Sequence, residues 1–463
     1  MKIRLLVPAA AAALLIVAAP SAMAAPHVRG RVIVGYEYGL SAGQRAVVAN
    51  AAQTVGGKRL PDGARRVRTR PGETVQGAIT RLRKSPHVRY AVPDYIAHAS
   101  GFIPDDPGIL GPTGWQDLQW NFTGPFGVNA PDAWQQAIAA GAPGGRGVTV
   151  AVLDTGVAYE NHGRFRRDPD LYSGRFVKPY DFVDGDRHPN DENGHGTHVT
   201  GTIAQKTNNG IGLTGLAYGV TIMPVRVLDA HGEGDAAAIA RAIRYAARNG
   251  AQVINMSLEF DASITASQIP DIVSAIRYAH HLGAVVVGAA GNATENRVAY
   301  PARTNYVISV GGTTEHGCEA DYSNSGSGLD LMAPGGGDDA PLDDNPNDVA
   351  NCKPDQRGRD IYQVTFTHNV DTFGLPSNWE GTSMSAPHVS AIAALIIATG
   401  VIGKNPKPQA IEARLKQTAR DLGPPGVDRR YGSGLVDAFA AINPAFPNPP
   451  PAPTPAPTPA PSG

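Results

Sequence analysis

The stretch VTVAVLDTG, residues 148–156, is an almost continuous apolar run that ends in an acid, a threonine and a glycine. Such runs are typical of strands that are buried on both faces of a parallel sheet. In open α/β sheets, functional side chains lie in the loops at the carboxyl ends of such strands. Asp154 stands at that position, so the stretch predicts a fold class and one candidate site residue.

Short apolar runs and amphipathic segments alternate along the rest of the chain. Strands are predicted at 148–153, 221–228, 252–258, 284–288 and 306–310. Helices are predicted at 198–204, 235–249, 269–282 and 385–398. Buried strands separated by helices indicate one α/β domain, with a parallel sheet covered by helices on both faces.

The N-terminus has the three parts of a secretory signal. These are Lys2 and Arg4, an apolar run over 5–19, and an Ala-Met-Ala cleavage site that ends at Ala24. A membrane anchor is the alternative, but the run falls short of the roughly 20 apolar residues that span a bilayer. We therefore expect a signal peptide at 1–24 and a protein exported to the periplasm or the medium, without a stable membrane span.

Residues 25–100 are predicted to form a small α+β unit of their own. Strand patterns at 31–36 and 88–92 flank helical spacing at 44–54 and 75–84. A cluster of Pro, Gly and Asp follows this unit and marks a boundary or an exposed linker, where we expect processing.

The net charge is −1, but basic and acidic residues are distributed unevenly along the chain. Residues 25–100 carry 13 Lys or Arg against 4 Asp or Glu, whereas residues 101–463 carry 25 against 37. A nucleic-acid-binding arm is one interpretation, but the basic segment lacks the aromatic interleaving of such arms. Electrostatic docking of the two parts fits better, and no nucleic-acid partner is expected.

The main domain is predicted to cover 101–443, followed by a tail at 444–463. The tail repeats Pro-Ala-Pro-Thr and predicts an extended, polyproline-like spacer. An acidic insert at 335–355 matches no calcium-loop spacing and is predicted to be a solvated surface loop.

Two cysteines, Cys318 and Cys352, are present, and neither has a metal-binding spacing. In an exported protein one disulfide between them is expected, and two free thiols are the alternative.

Two further segments carry chemistry. In NGHGTHV, residues 193–199, glycines flank His195 at the start of a helical pattern and leave its ring open to substrate. We interpret His198 as a structural residue. In GTSMSAPH, residues 381–388, Ser383 opens an apolar helix whose dipole and free N–H groups favour a developing oxyanion. Pro387 is predicted to lie in the first turn, where no N–H is needed.

The order Asp154, His195, Ser383, with the late motif GSGLVDA at 432–438, resembles the subtilisin family of serine proteases over about residues 115–443. The resemblance implies a subtilisin-like fold and a secreted serine endopeptidase with no catalytic cofactor. It further implies that Ser383 is the nucleophile, His195 the base and Asp154 the acid that orients the base.

The resemblance also implies other roles. Asn292, in AAGN after an apolar strand, would donate its side-chain amide to the oxyanion. Residues 25–100 resemble the family's inhibitor-type propeptide, an intramolecular chaperone and inhibitor removed near Ser100. The mature enzyme is expected to be a monomer that acts on protein or peptide substrates.

Four residues match the family's substrate pocket: Ser257, Leu258, Glu259 and Ala299. Backbone groups of the first three would pair with an extended peptide. Glu259 stands where glycine is usual; it either acidifies the subsites and favours basic side chains, or it turns to solvent. The small floor at Ala299 indicates an apolar primary pocket and broad specificity.

A structural calcium site is implied at Asp170 and the loop 207–213. Asp170 and Asn209 would contribute side chains, Thr207, Ile211 and Leu213 would contribute carbonyls, and Gln119 is a candidate sixth ligand. Ordinary turn residues are the alternative.

Several other classes of protein are alternatives to a broad-specificity protease. The interpretation as a narrow processing protease rests on Glu259 alone. The interpretation as a catalytically silent scaffold conflicts with the complete set of site residues. An esterase of the α/β-hydrolase class would have Gly-x-Ser-x-Gly, but Ser385 occupies the last glycine's place. The glutamate-base relatives of the family are excluded by His195.

Overall fold

The computed structural model describes residues 27–60, 63–95, 102–108, 114–171, 175–341 and 352–446. The chain divides into two compact units, residues 1–100 and 101–463. The predicted signal peptide, the processing region near Ser100 and most of the predicted tail lie outside the described residues.

The first unit is a four-stranded antiparallel sheet with two helices, as expected for a small α+β unit. Its sheet has the order β2-β3-β1-β4. The elements are β1 (His27–Tyr36), α1 (Ala42–Ala51), β2 (Thr54–Arg59), β3 (Arg65–Thr69), α2 (Val75–Arg83) and β4 (Val88–Tyr95). Val32 and Val34 on β1 pack with Ile79 and Leu82 on α2 in its core. The charged pattern of β2 and β3 hid both strands from the sequence analysis.

The second unit contains a seven-stranded parallel sheet with helices packed against it, which confirms the predicted fold class. The strands are β5 (Thr149–Asp154), β6 (Tyr180–Asp181), β7 (Thr221–Arg226), β8 (Val253–Met256), β9 (Val285–Ala289), β10 (Val307–Thr313) and β11 (Leu331–Pro334); a separate hairpin has β12 (Thr365–Phe366) and β13 (Phe373–Gly374). The helices are α3 (Trp120–Thr123), α4 (Ala130–Ala139), α5 (His195–Ala204), α6 (Ala236–Arg248), α7 (Pro270–His281), α8 (Thr382–Thr399), α9 (Pro408–Thr418) and α10 (Ala438–Ile442).

The sheet order β11-β10-β9-β8-β5-β7-β6 makes β5, β8 and β9 neighbours. These strands are parallel, so their carboxyl ends meet at one edge of the sheet. Asp154 ends β5, the segment from Ser257 follows β8, and Asn292 follows β9. The topology thereby places residues from distant parts of the sequence beside one another.

Helix α8 is the central helix of this unit and is apolar on all sides. Its residues from Met384 to Ile396 are buried, as expected for a helix surrounded by protein. Among the described residues it is also the one helix long and apolar enough to cross a membrane, but 78% of it is buried within the protein.

The prediction for Pro387 was wrong. Helix α8 begins at Thr382, so Pro387 is its sixth residue and lies beyond the first turn. A proline there cannot donate to the carbonyl of Ser383, four residues earlier. The hydroxyl of Ser257 donates to that carbonyl instead, at 2.8 Å.

Cys318 and Cys352 form a disulfide with a Cα–Cα distance of 5.6 Å, which confirms the predicted pair. The prediction for the acidic insert was wrong in part. Asp339 is fully buried, and its carboxylate accepts hydrogen bonds from Thr314 Oγ1 at 2.6 Å and His316 Nδ1 at 2.9 Å. Residues 342–351 lie outside the described part of the chain.

Candidate active site

Asp154 and His195 form a hydrogen-bonded pair in the site. His195 is the first residue of α5, and its Nδ1 lies 2.6 Å from Oδ1 of the fully buried Asp154. Burial alone would lower the pKa of His195, but the charge and hydrogen bond of Asp154 outweigh it and raise the pKa above its ordinary value. The other ring nitrogen stays available, because 21% of the side chain is exposed to the cleft.

Two neighbouring residues fix the position of His195. Asp191 is buried, and its carboxylate accepts bonds from the backbone of Gly194 at 2.9 Å and from both donor groups of Thr197 at 2.9 and 2.6 Å. A Cβ on Gly196 would lie 2.1 Å from the carbonyl oxygen of Gly156. Gly196 is therefore needed for the close approach of α5 to the end of β5. Neither this role of Gly196 nor the role of Asp191 was predicted from the sequence.

Ser383 lies on the same cleft as His195, near the start of α8. The cleft has a volume of about 650 Å³, and Ser257, Leu258 and Glu259 also line it. The hydroxyl of Ser383 donates to the carbonyl of Ser257 at 3.2 Å, so its proton must be redirected before His195 can accept it. Hydrogen bonds between catalytic groups often tighten only when substrate is bound.

The side chain of Asn292 has a defined orientation. Its Oδ1 accepts from the backbone N–H and the hydroxyl of Thr382, at 2.8 and 2.9 Å. Its Nδ2 therefore points away from α8 and donates to Oε1 of Glu259 at 3.2 Å. The backbone N–H of Asn292 also donates to the Glu259 carboxylate.

Glu259 thus turns toward Asn292, and burial raises the pKa of its carboxyl group against the lowering effect of these hydrogen bonds. Ala299 is buried near the turn formed by Gly291 and Asn292, and its N–H donates to the carbonyl of Ala290 at 2.8 Å. The four predicted pocket residues are therefore close to Ser383 or to the Gly291–Asn292 turn.

His198 and His388 are structural neighbours of the site. Nε2 of His198 lies 2.9 Å from the carbonyl of Ile361, and the ring stacks on Trp379. His388 is buried beside Asn121 at 2.9 Å. Burial lowers the pKa of His198 to about 3 and that of His388 to about 4, so both are neutral near pH 7.

The residues of the predicted calcium site lie together. Asp170 is buried; its carboxylate accepts from Nδ2 of Asn209 at 2.7 Å and from the N–H of Leu213 at 3.0 Å. Gln119 bonds both backbone groups of Thr214 at the end of the same loop. The loop 207–213 therefore wraps Asp170 closely.

Two acids near Asp170 were missed by the sequence analysis. Asp168 is fully buried, and Asp106 accepts from the N–H groups of Asn208 and Asn209. Burial raises the pKa of Asp168 and of Asp170 to about 8. Buried carboxylates that repel one another, beside a loop that carries further side-chain and backbone oxygens, fit a hard cation such as Ca²⁺.

A second group of possible ligands consists of Glu160, His162 and His188. His188 Nδ1 already bonds Glu160 at 2.8 Å, and the two imidazole rings stack 3.9 Å apart with nearly parallel planes. Parallel rings direct their lone pairs side by side and not toward one point, so this group is not arranged for a tetrahedral metal.

A paired carboxylate and imidazole beside a serine, at the carboxyl edge of a parallel sheet, are typical of serine proteases with an α/β fold. Residues 145–434 match the subtilase family, peptidase S8, and residues 16–94 match the fervidolysin N-terminal prodomain. The chain belongs to the subtilase family and is a subtilisin-like serine endopeptidase that carries a prodomain.

Relatives of known identity agree with this membership. The chain is 34% identical to a thermophilic serine proteinase of Bacillus sp. (strain AK1) over 90% of this chain and 88% of the relative. It is 35% identical to thermitase of Thermoactinomyces vulgaris over 69% of this chain and 95% of thermitase. A solved protease structure from Pseudoalteromonas arctica matches with a TM-score of 0.57 and 32% identity, covering 73% of this chain and 98% of that one.

Proposed function

We propose that this protein is a secreted endopeptidase in which Ser383 attacks the peptide carbonyl and His195 accepts its proton. Asp154 holds the imidazole in the required tautomer and stabilises the imidazolium that forms. An acyl-enzyme results, the leaving amine takes the proton from His195, and water releases the acyl group. The observation that carries the proposal is the 2.6 Å contact of His195 with Asp154 on the cleft that Ser383 lines.

Asn292 is proposed as an oxyanion donor together with the free N–H of Ser383. Support comes from its amide: Thr382 holds the oxygen, so the NH₂ group points away from α8 and toward Glu259, a residue that lines the cleft. A donor of this kind contributes about 3 to 4 kcal/mol to transition-state stabilisation.

We further propose that a substrate peptide pairs with the backbone of Ser257–Glu259. The buried, neutral Ala299 at the pocket floor suits medium and large side chains and would give broad specificity. The three catalytic side chains come from one chain, which supports a monomer.

Residues 25–100 are proposed to act as chaperone and inhibitor and to be removed near Ser100, after export directed by residues 1–24. The prodomain match supports this assignment. Calcium, held by Asp170, Asn209 and carbonyls of Thr207, Ile211 and Leu213, is proposed to stabilise the fold and not to take part in catalysis.

The proposal is tested by expressing the full chain with Ser383→Ala and, as a matched control, Ser385→Ala. Ser385 is two residues along α8, and its hydroxyl bonds the carbonyl of Ala333 at 3.0 Å. We expect Ser383→Ala to lower kcat on casein by about six orders of magnitude and to leave the chain uncut near Ser100. Equal activity of Ser383→Ala and wild type would refute the proposal.

Labelling with a fluorophosphonate gives a second readout. The reagent should modify Ser383 in the wild type and in Ser385→Ala, and Ser383→Ala should stay unlabelled. A correctly processed wild type that neither labels nor cleaves peptides would instead indicate a scaffold protein with this fold.

A further inference from the structure

Glu259 connects two segments of the site across the proposed substrate pocket. It follows Leu258 on the segment after β8, and it bonds Asn292 on the turn after β9. A Cβ placed on Gly291 would lie 2.4 Å from Oε2 of Glu259 and 3.0 Å from Cβ of Ala299. The carboxylate therefore rests on the Gly291 backbone, close to the apolar floor at Ala299.

In the described part of the chain, no lysine, arginine or histidine forms an ion pair with Glu259. Arg297, which lines the adjoining groove with Glu259, donates to the carbonyl of Ala262 instead. Among the described residues, the carboxylate of Glu259 is thus held by amide donors alone and lines the cleft without an ion-pair partner.

The bond between Glu259 and Asn292 affects the proposed oxyanion donor. The Nδ2 group that binds Glu259 is the same donor that is proposed to stabilise the oxyanion. While the carboxylate holds this amide, the donor is engaged and a negative charge stands next to the site where the oxyanion develops. Both effects oppose the transition state unless the carboxylate is neutralised or moved.

We propose that Glu259 makes the enzyme prefer lysine or arginine at the substrate residue whose carbonyl is attacked. The aliphatic stem of such a side chain would lie along the apolar floor, and its cation would pair with the carboxylate. Pairing draws Glu259 away from Asn292 and frees Nδ2 for the oxyanion. This inference rests on the proposed function and narrows its broad specificity.

The test uses the mature enzyme with peptide amides that differ in one residue, lysine or norleucine, on the acyl side of the cleaved bond. The two side chains share the same aliphatic stem, and one carries the charge. We expect kcat/KM for lysine to exceed that for norleucine by about tenfold or more, mostly through kcat. A ratio near one in the wild type would overturn the inference.

Two variants and a control assign the preference to this carboxylate. Glu259→Gln and Glu259→Gly should bring the ratio close to one, and Glu259→Gly should also raise kcat for norleucine because Asn292 is released. Asp261→Asn is the matched control, since this neighbouring carboxylate bonds Ser263 and not Asn292. It should keep the wild-type ratio; a ratio retained in Glu259→Gln would contradict the inference.

If the Glu259 variants fail to mature, the cleavage sites of the wild type in denatured casein decide the question. Cuts after lysine and arginine should dominate, and cuts distributed without regard to charge would refute the preference. Fluorophosphonate labelling distinguishes failure of this inference from failure of the proposed function. A labelled enzyme with no lysine preference overturns this inference alone, whereas an unlabelled, inactive enzyme overturns the proposed function as well.

Discussion

Ser257 and Ser383 exchange two hydrogen bonds across the boundary between β8 and α8. The hydroxyl of Ser257 donates to the carbonyl of Ser383 at 2.8 Å, and the hydroxyl of Ser383 donates to the carbonyl of Ser257 at 3.2 Å. The first bond takes the place of the helical bond that Pro387 cannot donate. The helix that presents the proposed nucleophile is therefore fastened to the segment proposed to bind substrate.

Replacing Ser257 with alanine should lower both the stability and the activity of the enzyme. The variant leaves the carbonyl of Ser383 without its donor, which costs about 1 to 3 kcal/mol for a buried acceptor. We expect a lower melting temperature of the inhibitor-blocked mature enzyme and a reduced kcat, measured by calorimetry and by peptide hydrolysis. Ser263→Ala, at an exposed position outside this contact, is the control.

The role of Pro387 can be examined by restoring the missing donor. In Pro387→Ala the backbone N–H becomes available to the carbonyl of Ser383, so Ser257→Ala should destabilise this background less than the wild type. The double-mutant cycle measures that coupling directly. Strictly additive changes in melting temperature would show that the Ser257 hydroxyl does not replace the helical bond.

Activity should rise with pH through a pKa above the ordinary histidine value of 6.5. His195 must be neutral to accept the proton of Ser383, and the pairing with Asp154 favours its charged form. A raised pKa keeps the imidazole protonated to higher pH, so kcat/KM falls as the pH drops through it. His198, with a pKa of about 3, contributes no step in this range.

The pH dependence is measured as log kcat/KM of an uncharged peptide substrate between pH 5 and 10. Asp154→Asn should shift the acidic limb to lower pH, besides lowering the rate strongly, because the charge that favours the imidazolium is removed. A wild-type limb at or below pH 6.5 would contradict this account of His195.

Much of the fold could be predicted because the decisive segments are strongly patterned. The run that ends at Asp154 is apolar on both faces, and α6 repeats its buried alanines and isoleucines at helical spacing. Helix α9 and β11 are among the elements that were missed. The former is rich in charged and polar residues, and the latter has four residues and follows a polar loop.

The roles of the site residues depend on contacts between distant segments, which single motifs do not contain. Nothing in the sequence near Glu259 indicates that its carboxylate bonds Asn292, 33 residues away. Asp106 could be recognised only once the chain had brought it to Asp170. Short motifs predicted which chemistry is present, while the side-chain orientations follow from the tertiary structure.

Removing the disulfide should lower stability without changing the site. Cys318 and Cys352 are 34 residues apart, and closing a loop of that length stabilises by about 3 to 4 kcal/mol in the chain-entropy model. The variant with both cysteines changed to serine should melt at lower temperature and keep its KM at 25 °C. Reductant should lower the melting temperature of the wild type toward that of the variant, and no response to either change would contradict the expectation.

Calcium removal should destabilise the enzyme, and Asp170 offers a sharp test of where the ion acts. Asp170 and Asp168 are buried near one another, so without a cation the wild type must either bury repelling charges or bind protons. We expect a chelator to lower the melting temperature of the wild type by several degrees, since a ligand at 100 times its Kd contributes about 2.7 kcal/mol.

Asp170→Asn should remove most of this response, because the amide retains the shape of the carboxylate without its charge. In chelator the variant should be at least as stable as the wild type, since it removes one buried charge from the cluster. Asp117→Asn, which changes an exposed acid, should respond to calcium as the wild type does. A variant at Asp170 that keeps the full calcium response would locate the stabilising ion elsewhere in the protein.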